Sequence, residues 1–482
     1  MSGALYRART VVAVLAGITG AGVLATGVAA GGSSVGSAAA PPVPTIVSTT
    51  KVCELTGASG ETGTPTSAYG LAAADIGYPL SYEGQTWFLF GDAVPYKGNA
   101  KARWPADPAS LVNDAIGYES GKSDGCPDLT FVTRAPGSYA DPSVAPDPSG
   151  GATVDLRTNM QPEAGVGIGS SMYVVFITDN PECDAPGVTP AMCKANGIKG
   201  FSTRAVLGVD TGPRESLAFR GLYNFSAPVR RWQPGARFVF DTFAPGPDGW
   251  LYVFGTEGGT DHRNSDVFLA RVEPSELGTP GTLAYFTGLR DGQPEFSSTA
   301  GEASAVPLWT DDARLPCAGD LGAQWNPYLA RWVLIYTCNP VHATYGNLGG
   351  IWVRVAAAPW GPWSAPETIF NPTRDHGYCE FIHYLHCPPG SPNPYNHTSK
   401  GASQDGSDYG AHIIPGWTTS QPSPNSTGVL STFYWVMDTF DPYGEVIMST
   451  TLSESYAQRF PPLPTSTTLT SVRPPPCGTA CV

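Results

Sequence analysis

The sequence predicts an all-β protein built as a five-bladed β-propeller, and three observations favour this fold class. Aromatic-rich strand segments recur five times, each starting about 80 to 100 residues after the last. A second strand-like segment follows four of them clearly and the first less clearly, and a short segment with glycine or an acid precedes each. Helical periodicity is almost absent. Repetition of three or four strands over such a long period is typical of a radial repeat.

The repeated segments occur in the same order in every unit. The aromatic segments are TWFLFGD (86–92), SMYVVFITD (171–179), GWLYVFGTEGG (249–259), RWVLIYTC (331–338) and STFYWVMDTF (431–440). The preceding segments are AADIGYP (73–79), QPEAGVGIG (161–169), VFDTFAP (239–245), AGDLGAQWN (318–326) and DYGAHIIPGW (408–417). In a propeller the first strand of each blade lines the central channel, so the preceding segments are expected there. Two β-sandwich domains would also contain short strands and turns, but the equal spacing favours the propeller.

Composition limits the partners of this protein. The formal net charge is −14, which argues against nucleic acid, because binding a polyanion requires clustered Lys and Arg. Only 14 % of residues are charged, against about 25 % in typical proteins. We therefore expect a neutral, polar ligand. After the N-terminal segment no apolar run is long enough to span a bilayer, so no membrane span is expected. A monomer without a cofactor is also predicted.

The chain is expected to be exported. Arg7 and Arg9 precede an apolar run from Val11 to Ala29, and small residues follow. Residues 1–40 are interpreted as a signal peptide with a flexible lead-in, 41–456 as the propeller, and 457–482 as a Pro/Thr-rich tail. The mature protein is thus predicted to be secreted, either extracellular or associated with the cell wall.

Ten cysteines in an exported protein indicate disulfides, because that compartment is oxidising. Sequence proximity suggests the pairs Cys183–Cys193, Cys379–Cys387 and Cys477–Cys481, which leaves Cys317–Cys338 and Cys53–Cys126. Residues 121–160 and 372–407 are expected to be long loops rich in Gly, Pro and Asp. The second loop holds His376, His383, His386 and His397. A zinc site is possible there, but the disulfide interpretation is favoured and no metal is predicted.

The leading candidate for chemistry is the hairpin from Asp75 to Asp92. If Glu83 and Gly84 form its two-residue loop, Tyr82 faces Gln85 and Asp75 lies directly opposite Asp92. Their Cβ atoms would then be about 4.5–5.5 Å apart. Like charges at that distance raise the pKa of one carboxyl, which can supply one acid and one base at neutral pH. The alternative is that both are strand-end Asp residues that bind turn amides.

Other blades also bring acids to the predicted channel. They are Glu163, Asp241 and Asp320, and the fifth segment contributes Asp408, Tyr409 and His412. Hairpin counting places Val175 or Phe176 opposite Glu163, Phe254 or Gly255 opposite Asp241, and Thr337 opposite Asp320. We expect substrate contacts from Glu163, Asp320, Asp241, Tyr409, His412 and Trp104, the last stacking on a sugar face. If Asp75 and Asp92 lie on the same side of the sugar, the catalytic partner is instead Glu163 or Asp320.

The ordered motifs carry a family resemblance. They are DIG…FLFGD, LYVFGTEGG…VFLARV, AGDLGAQWNPYLARWVLIY, GGIWVRVAAAPWGPWS and YGAHIIPGW…FYWVMDTFDPYGEVIMSTTL. Together they resemble a family of exported bacterial five-bladed propellers, formerly a domain of unknown function, that includes the endo-D-arabinanases of glycoside hydrolase family 183. The resemblance covers the chain from about Leu55 to Leu452.

This resemblance implies a furanosidase-like fold and hydrolysis of internal bonds in D-arabinan of arabinogalactan or lipoarabinomannan. It also implies that Asp75 and Asp92 are the catalytic carboxylates. At one position this chain departs from the family pattern G-E-L-S and reads Gly319-Asp320-Leu321-Gly322, which shortens the acid by a methylene group. Two alternatives therefore stay open, namely a non-catalytic wall-polysaccharide-binding propeller and a furanosidase for another furanose polymer.

Overall fold

The computed structural model shows five β-sheets arranged in a ring. It describes residues 44–56, 65–96, 114–123, 125–154, 156, 160–178, 204–210, 212, 217–227, 236–257, 265–310, 317–338, 350–388, 390–391, 405–424, 428–440 and 442–454. The first strand of each sheet contacts the first strands of both neighbouring sheets, so the five first strands surround one central axis. The protein is therefore an all-β, five-bladed propeller, as the repeats predict.

The first three blades follow one another along the chain. Blade 1 consists of Leu71–Tyr82, Gln85–Pro95, Ala115–Ser123 and Cys126–Phe131. Blade 2 consists of Pro162–Ile168, Ser171–Thr178, Arg204–Asp210 and Ala218–Ser226, with Ser143–Pro146 added in parallel at its outer edge. Blade 3 consists of Phe240–Pro245, Leu251–Thr256, Phe268–Val272, Ala284–Arg290 and Gln293–Ser297. Apart from the added edge strand of blade 2, the strand nearest the axis comes first in the chain in each of these blades.

The last two blades complete the ring, and blade 5 contains strands from both ends of the propeller. Blade 4 consists of Ala318–Asn326, Arg331–Cys338, Ile351–Ala356 and Glu367–Phe370. Blade 5 consists of Ser407–Ile413, Val429–Phe440, Gly444–Glu454 and, at its outer edge, Thr45–Glu54, with Thr419–Pro422 also paired to its second strand. Short elements complete the fold: the strand pair Thr133–Ala135 and Ser138–Tyr139, and the 3₁₀ turns Thr66–Tyr69, Pro274–Glu276 and Glu302–Ser304.

A strand pairing and a disulfide between distant parts of the chain close the ring. The early strand Thr45–Glu54 pairs antiparallel with Gly444–Glu454, so blade 5 is built from both ends of the propeller. The disulfide Cys53–Cys126 then joins this strand to the outermost strand of blade 1. Blades 1 and 5 are thus linked covalently as well as by packing.

The core explains why the aromatic segments recur. They form the second strands of the blades, where Trp87, Trp332 and Trp435 are almost completely buried. The strand Arg331–Cys338 is buried along its whole length because its blade is covered on both faces by neighbouring blades. Such strands are continuous apolar runs rather than alternating ones.

Some details differ from the sequence-based expectations. Residues 121–160 are not one long loop, because they include the outer strand Cys126–Phe131 and the edge strand Ser143–Pro146. Pro127, Asp128 and Pro146 are residue types typical of turns, which hid these strands. The disulfides Cys53–Cys126, Cys317–Cys338 and Cys379–Cys387 are confirmed. Other predicted features lie outside the described residues: the pairs Cys183–Cys193 and Cys477–Cys481, Trp104, His397, the first 40 residues and the tail.

Candidate active site

The hairpin of blade 1 has the predicted turn but not the predicted register. Tyr82 pairs with Gln85, as expected. Asp75, however, pairs with Gly91 and not with Asp92, so the predicted direct opposition was wrong by one residue. The cause is a β-bulge in which Ile76 and Gly77 together stand opposite a single residue of the next strand.

The backbone is left-handed both in this bulge and at Asp92 on the next strand. Ile76 has φ of 70° and Asp92 has φ of 43°. A positive φ is unusual for a β-branched residue and requires compensation from its surroundings. Part of that compensation comes from blade 5, because the Ile76 N–H donates a hydrogen bond to Asp438 Oδ2 at 3.0 Å. Gly77 packs so closely against the Glu445 carboxylate that a Cβ atom there would overlap it.

Asp75 lies at the centre of the site. Its side chain is buried, and Tyr409 donates a hydroxyl hydrogen bond to Asp75 Oδ2 at 2.9 Å. Burial raises the pKa of Asp75 well above its usual value, and the charge of Asp92 raises it further. Hydrogen bonds from Tyr409 and Tyr443 lower this pKa and so favour the ionised form. The two hairpin carboxylates therefore interact, although they are not opposite each other.

Asp92 has its own buried neighbours. The Tyr443 hydroxyl donates to the Asp92 carbonyl oxygen at 3.4 Å. Asp114, just before the third strand of blade 1, is also buried, and burial together with the charge of Asp92 raises its pKa. Blade 1 thus contributes three buried carboxyl groups to one end of the channel.

Glu163 and Asp320 approach from blades 2 and 4. Glu163 is fully buried in a register shift between Val175 and Phe176, which confirms the predicted neighbours. Asp320 lies in the shift opposite Thr337, also as predicted. Burial raises the pKa of Glu163, and the charge of Asp320 raises it further, followed by those of Asp75 and Asp241. Carboxyl groups from blades 1, 2 and 4 therefore share one electrostatic environment.

Asp241 occupies the regular inner strand of blade 3. It pairs with Gly255, as predicted, in a hairpin without register shifts. Burial raises the pKa of Asp241, and the charge that contributes most is that of Glu302, outside the inner strands. Asp241 is thus buried but is affected less by the other channel acids than Glu163 is.

His412 and Tyr409 are both buried on the inner strand of blade 5. The Nδ1–H of His412 donates to the Leu321 carbonyl at 3.1 Å, and burial lowers the His412 pKa to about 4. A neutral ring that donates through Nδ1 leaves Nε2 as an acceptor. The His412 ring also meets the Tyr78 ring, with centroids 5.1 Å apart.

Three buried residues near Asp75 were not singled out by the sequence. Asp438, Tyr443 and Glu445 belong to blade 5 and its loop, and the charges of Glu445 and then Asp75 raise the pKa of Asp438 in addition to burial. One signal could have identified Asp438. It follows the aromatic run of STFYWVMDTF just as Asp92 follows that of TWFLFGD.

A metal site is not formed by the described residues. Within these ranges no group of three or more His, Cys, Asp or Glu side chains is arranged to hold a metal ion. In the His-rich loop, Cys379 and Cys387 form a disulfide, and the His386 ring packs edge-on against Tyr384. The described part of the chain also contains no helix long and apolar enough to cross a membrane.

The fold and site define a five-bladed propeller with an acidic channel. Residues 211–449 match the model of a domain of unknown function, DUF4185. No curated protein matches the chain in sequence.

Several solved propeller structures are similar in fold. An exo-β-1,3-galactanase from Phanerochaete chrysosporium has 9 % identity and a TM-score of 0.40, with 83 % of this chain and 64 % of that chain covered. This chain thus spans less than two thirds of that enzyme. A glycosyl hydrolase from Bacteroides ovatus has 10 % identity and a TM-score of 0.36, with 80 % and 85 % covered. An endo-1,5-α-L-arabinanase from Thermotoga petrophila has 9 % identity and a TM-score of 0.34, with 79 % and 72 % covered. Likeness at this level carries no information about the reaction of this chain.

Proposed function

We propose that the protein is a secreted glycoside hydrolase that cleaves internal bonds of D-arabinan in cell-wall arabinogalactan or lipoarabinomannan. The observation that carries the proposal is the convergence of Asp75, Glu163 and Asp320 from three blades. Hydrolysis of a glycosidic bond needs one protonated carboxyl and one ionised carboxylate. Buried carboxyls that raise one another's pKa values can provide both forms near neutral pH.

Their surroundings suggest different roles for Asp75 and Glu163. Burial raises the pKa of both carboxyls, but at Asp75 the hydrogen bonds from Tyr409 and Tyr443 offset part of this rise, which suits Asp75 better to the role of a nucleophile or of a base that activates water. Glu163 is fully buried in the field of Asp320 and Asp75, which favours its protonated form and suits the general acid. Among the neighbouring charges, that of Asp92 has the largest effect on the Asp75 pKa, and because it raises this pKa it opposes the ionised form of Asp75.

The finer parts of the proposal rest on the sequence. The D-arabinan substrate is supported by the ordered motif resemblance and by the low charge density, which suits a neutral polymer. Export is supported by the signal-like residues 1–40 and by three disulfides, which persist in an oxidising compartment.

Product analysis on a panel of polymers tests this function. Wild-type protein and the variants Asp75→Asn and Glu163→Gln would be incubated with purified arabinogalactan, L-arabinan and fructan, and the products separated by size. We expect wild type to release oligosaccharides from the D-arabinan of arabinogalactan and the variants to release almost none. If oligosaccharides are released only from L-arabinan or fructan, the proposed substrate is wrong. If none is released from any polymer, the protein is not a hydrolase of these substrates.

A non-catalytic, wall-binding propeller is the second candidate. It is favoured by Asp320, which stands where the resembled family has Glu, because a shorter acid could leave the site unable to turn over substrate. Binding of wild type to immobilised arabinogalactan without release of sugar would support this candidate. Gain of turnover by Asp320→Glu would identify that position as the cause.

A further inference from the structure

We propose that Asp438 is a positioning residue that keeps Asp75 aimed into the channel by holding the left-handed bulge at Ile76. The inference rests on the proposed function, in which Asp75 reacts with the substrate. Asp438 itself would act on the backbone of blade 1 and would not touch the reacting sugar.

Blade 5 holds the bulge of blade 1 through two hydrogen bonds. Asp438 on the second strand of blade 5 pairs with Tyr409 on the inner strand. Asp438 Oδ2 accepts the Ile76 N–H at 3.0 Å, and the Tyr409 hydroxyl donates to Asp75 Oδ2 at 2.9 Å. One cross-strand pair of blade 5 therefore holds the backbone of Ile76 and the side chain of the residue before it.

Asp438 is tightly packed and surrounded by other acidic groups. Asp438 is completely buried, and a Cβ atom at Gly410 would overlap its carboxylate. The position is also costly, because Glu445, Asp75 and Asp320 place further acidic groups around it. A buried acid among other acids is unfavourable unless hydrogen bonds compensate for its burial. Here the hydrogen bond is to the N–H of Ile76, whose strained φ of 70° persists only when neighbouring groups hold it.

Two substitutions separate the hydrogen bond from the charge. Asp438→Asn keeps an oxygen that can accept the Ile76 N–H and removes an acid from a crowded group, so the bulge should remain. Asp438→Leu keeps the branching and the number of side-chain heavy atoms but cannot accept the bond. Ser431→Ala is the matched control, because Ser431 is buried on the same strand and bonded to Asn326, away from the bulge.

Steady-state kinetics on arabinogalactan should give a specific pattern. We expect Asp438→Leu to lower kcat about 10²-fold with little change in KM, since a small misplacement of a reacting group has effects of that size. Asp438→Asn should retain kcat within a few-fold of wild type, and Ser431→Ala should lower thermal stability without lowering kcat. Equal kcat for wild type and Asp438→Leu would overturn the proposal.

A readout without substrate keeps the inference independent of the proposed function. Amide hydrogen exchange of the peptide 71–82 should accelerate in Asp438→Leu and stay slow in Asp438→Asn and Ser431→Ala. If wild type releases no sugar, the hydrolase proposal fails while the exchange experiment still decides the role of Asp438. Unchanged exchange in Asp438→Leu would show that the bulge does not depend on Asp438, whatever the activity.

Discussion

Blades 1 and 3 carry an acid at the same place on their inner strands but hold it differently. In blade 3, Asp241 lies in a hairpin whose register is unbroken from Phe240 to Pro245. In blade 1, the hairpin that carries Asp75 has three register shifts and a left-handed Ile76.

The two blades can also be compared in the contacts that support them. Blade 1 depends on blade 5 through Tyr409, Asp438 and the disulfide Cys53–Cys126. In blade 3, the charge with the largest effect on the Asp241 pKa is that of Glu302, whose carboxylate accepts hydrogen bonds from Ser226 of blade 2 and from the Arg237 N–H. The inner strand of blade 3 is also bonded to blade 1, because the Phe243 N–H donates to the Tyr78 hydroxyl oxygen at 3.1 Å. Both blades therefore take contacts from their neighbours, and the register shifts and the strained Ile76 are what set blade 1 apart.

The largest expected effect is at Glu163, on the blade between these two. Glu163→Gln removes the proposed acid, so kcat on the polymer should fall about 10²–10⁴-fold. A synthetic aryl furanoside needs little protonation of its leaving group, and its cleavage should fall much less. Kinetics on both substrates check this, and an equal loss on both would assign Glu163 another role.

Removal of the Cys53–Cys126 disulfide tests the dependence of blade 1 on blade 5. The two cysteines are 73 residues apart, and loop entropy predicts a loss of about 4 kcal/mol for Cys53→Ser/Cys126→Ser. The cysteines of the blade 4 disulfide are 21 residues apart, and its removal should cost about 3 kcal/mol. Urea unfolding measures both. A smaller loss of unfolding free energy for the Cys53→Ser/Cys126→Ser variant would contradict the idea that this disulfide stabilises blade 1 by linking it to blade 5.

Asp320→Asn should shift the pH dependence of activity. The Asp320 charge raises the pKa of Glu163 more than the Asp241 charge does. Removing it lowers that pKa, so the alkaline limb of kcat/KM should move to lower pH, and Asp241→Asn should move it less. The pH–rate profiles of both variants provide the measurement. A larger shift from Asp241→Asn would mean that blade 3 controls the acid.

The smallest expected effect concerns stability and pH. Burial raises the pKa of Glu445 well above 4.5, so the folded protein holds this proton over a range where the unfolded chain has lost it. The stability that Glu445 contributes is therefore full below pH 4.5 and is lost as pH rises through the folded pKa. Glu445→Gln should therefore raise Tm more at pH 8 than at pH 5. Glu367→Gln, at an exposed position, is the control and should change Tm at neither pH.

His412 has the opposite pH dependence. Its pKa falls from 6.5 to about 4 on folding, so the stability that it contributes is complete above 6.5 and is lost as pH falls toward 4. Calorimetry of His412→Gln across pH 4 to 7 should show a flatter acid limb than wild type. An unchanged limb would mean that His412 is not buried in its neutral form.

The sequence predicted the five blades because each one repeats a long aromatic run that must be buried on both faces. Hairpin counting was also correct for Asp241 and Gly255, where no residue is inserted. It failed at Asp75, because the bulge at Ile76 is bonded to Asp438, 362 residues away, and no local pattern encodes that contact. The approach of Glu445 to Gly77 was missed for the same reason, whereas Asp438 could have been identified by its position after an aromatic run.

The most direct test compares Asp75→Asn with Asp241→Asn, measured as the initial rate of oligosaccharide release from arabinogalactan. Both substitutions neutralise a buried acid on an inner strand, so their effects on packing are matched. We expect a loss of about 10³-fold or more for Asp75→Asn and less than about 10-fold for Asp241→Asn. Equal losses, or a larger loss for Asp241→Asn, would contradict the claim that the strained blade 1 performs the chemistry.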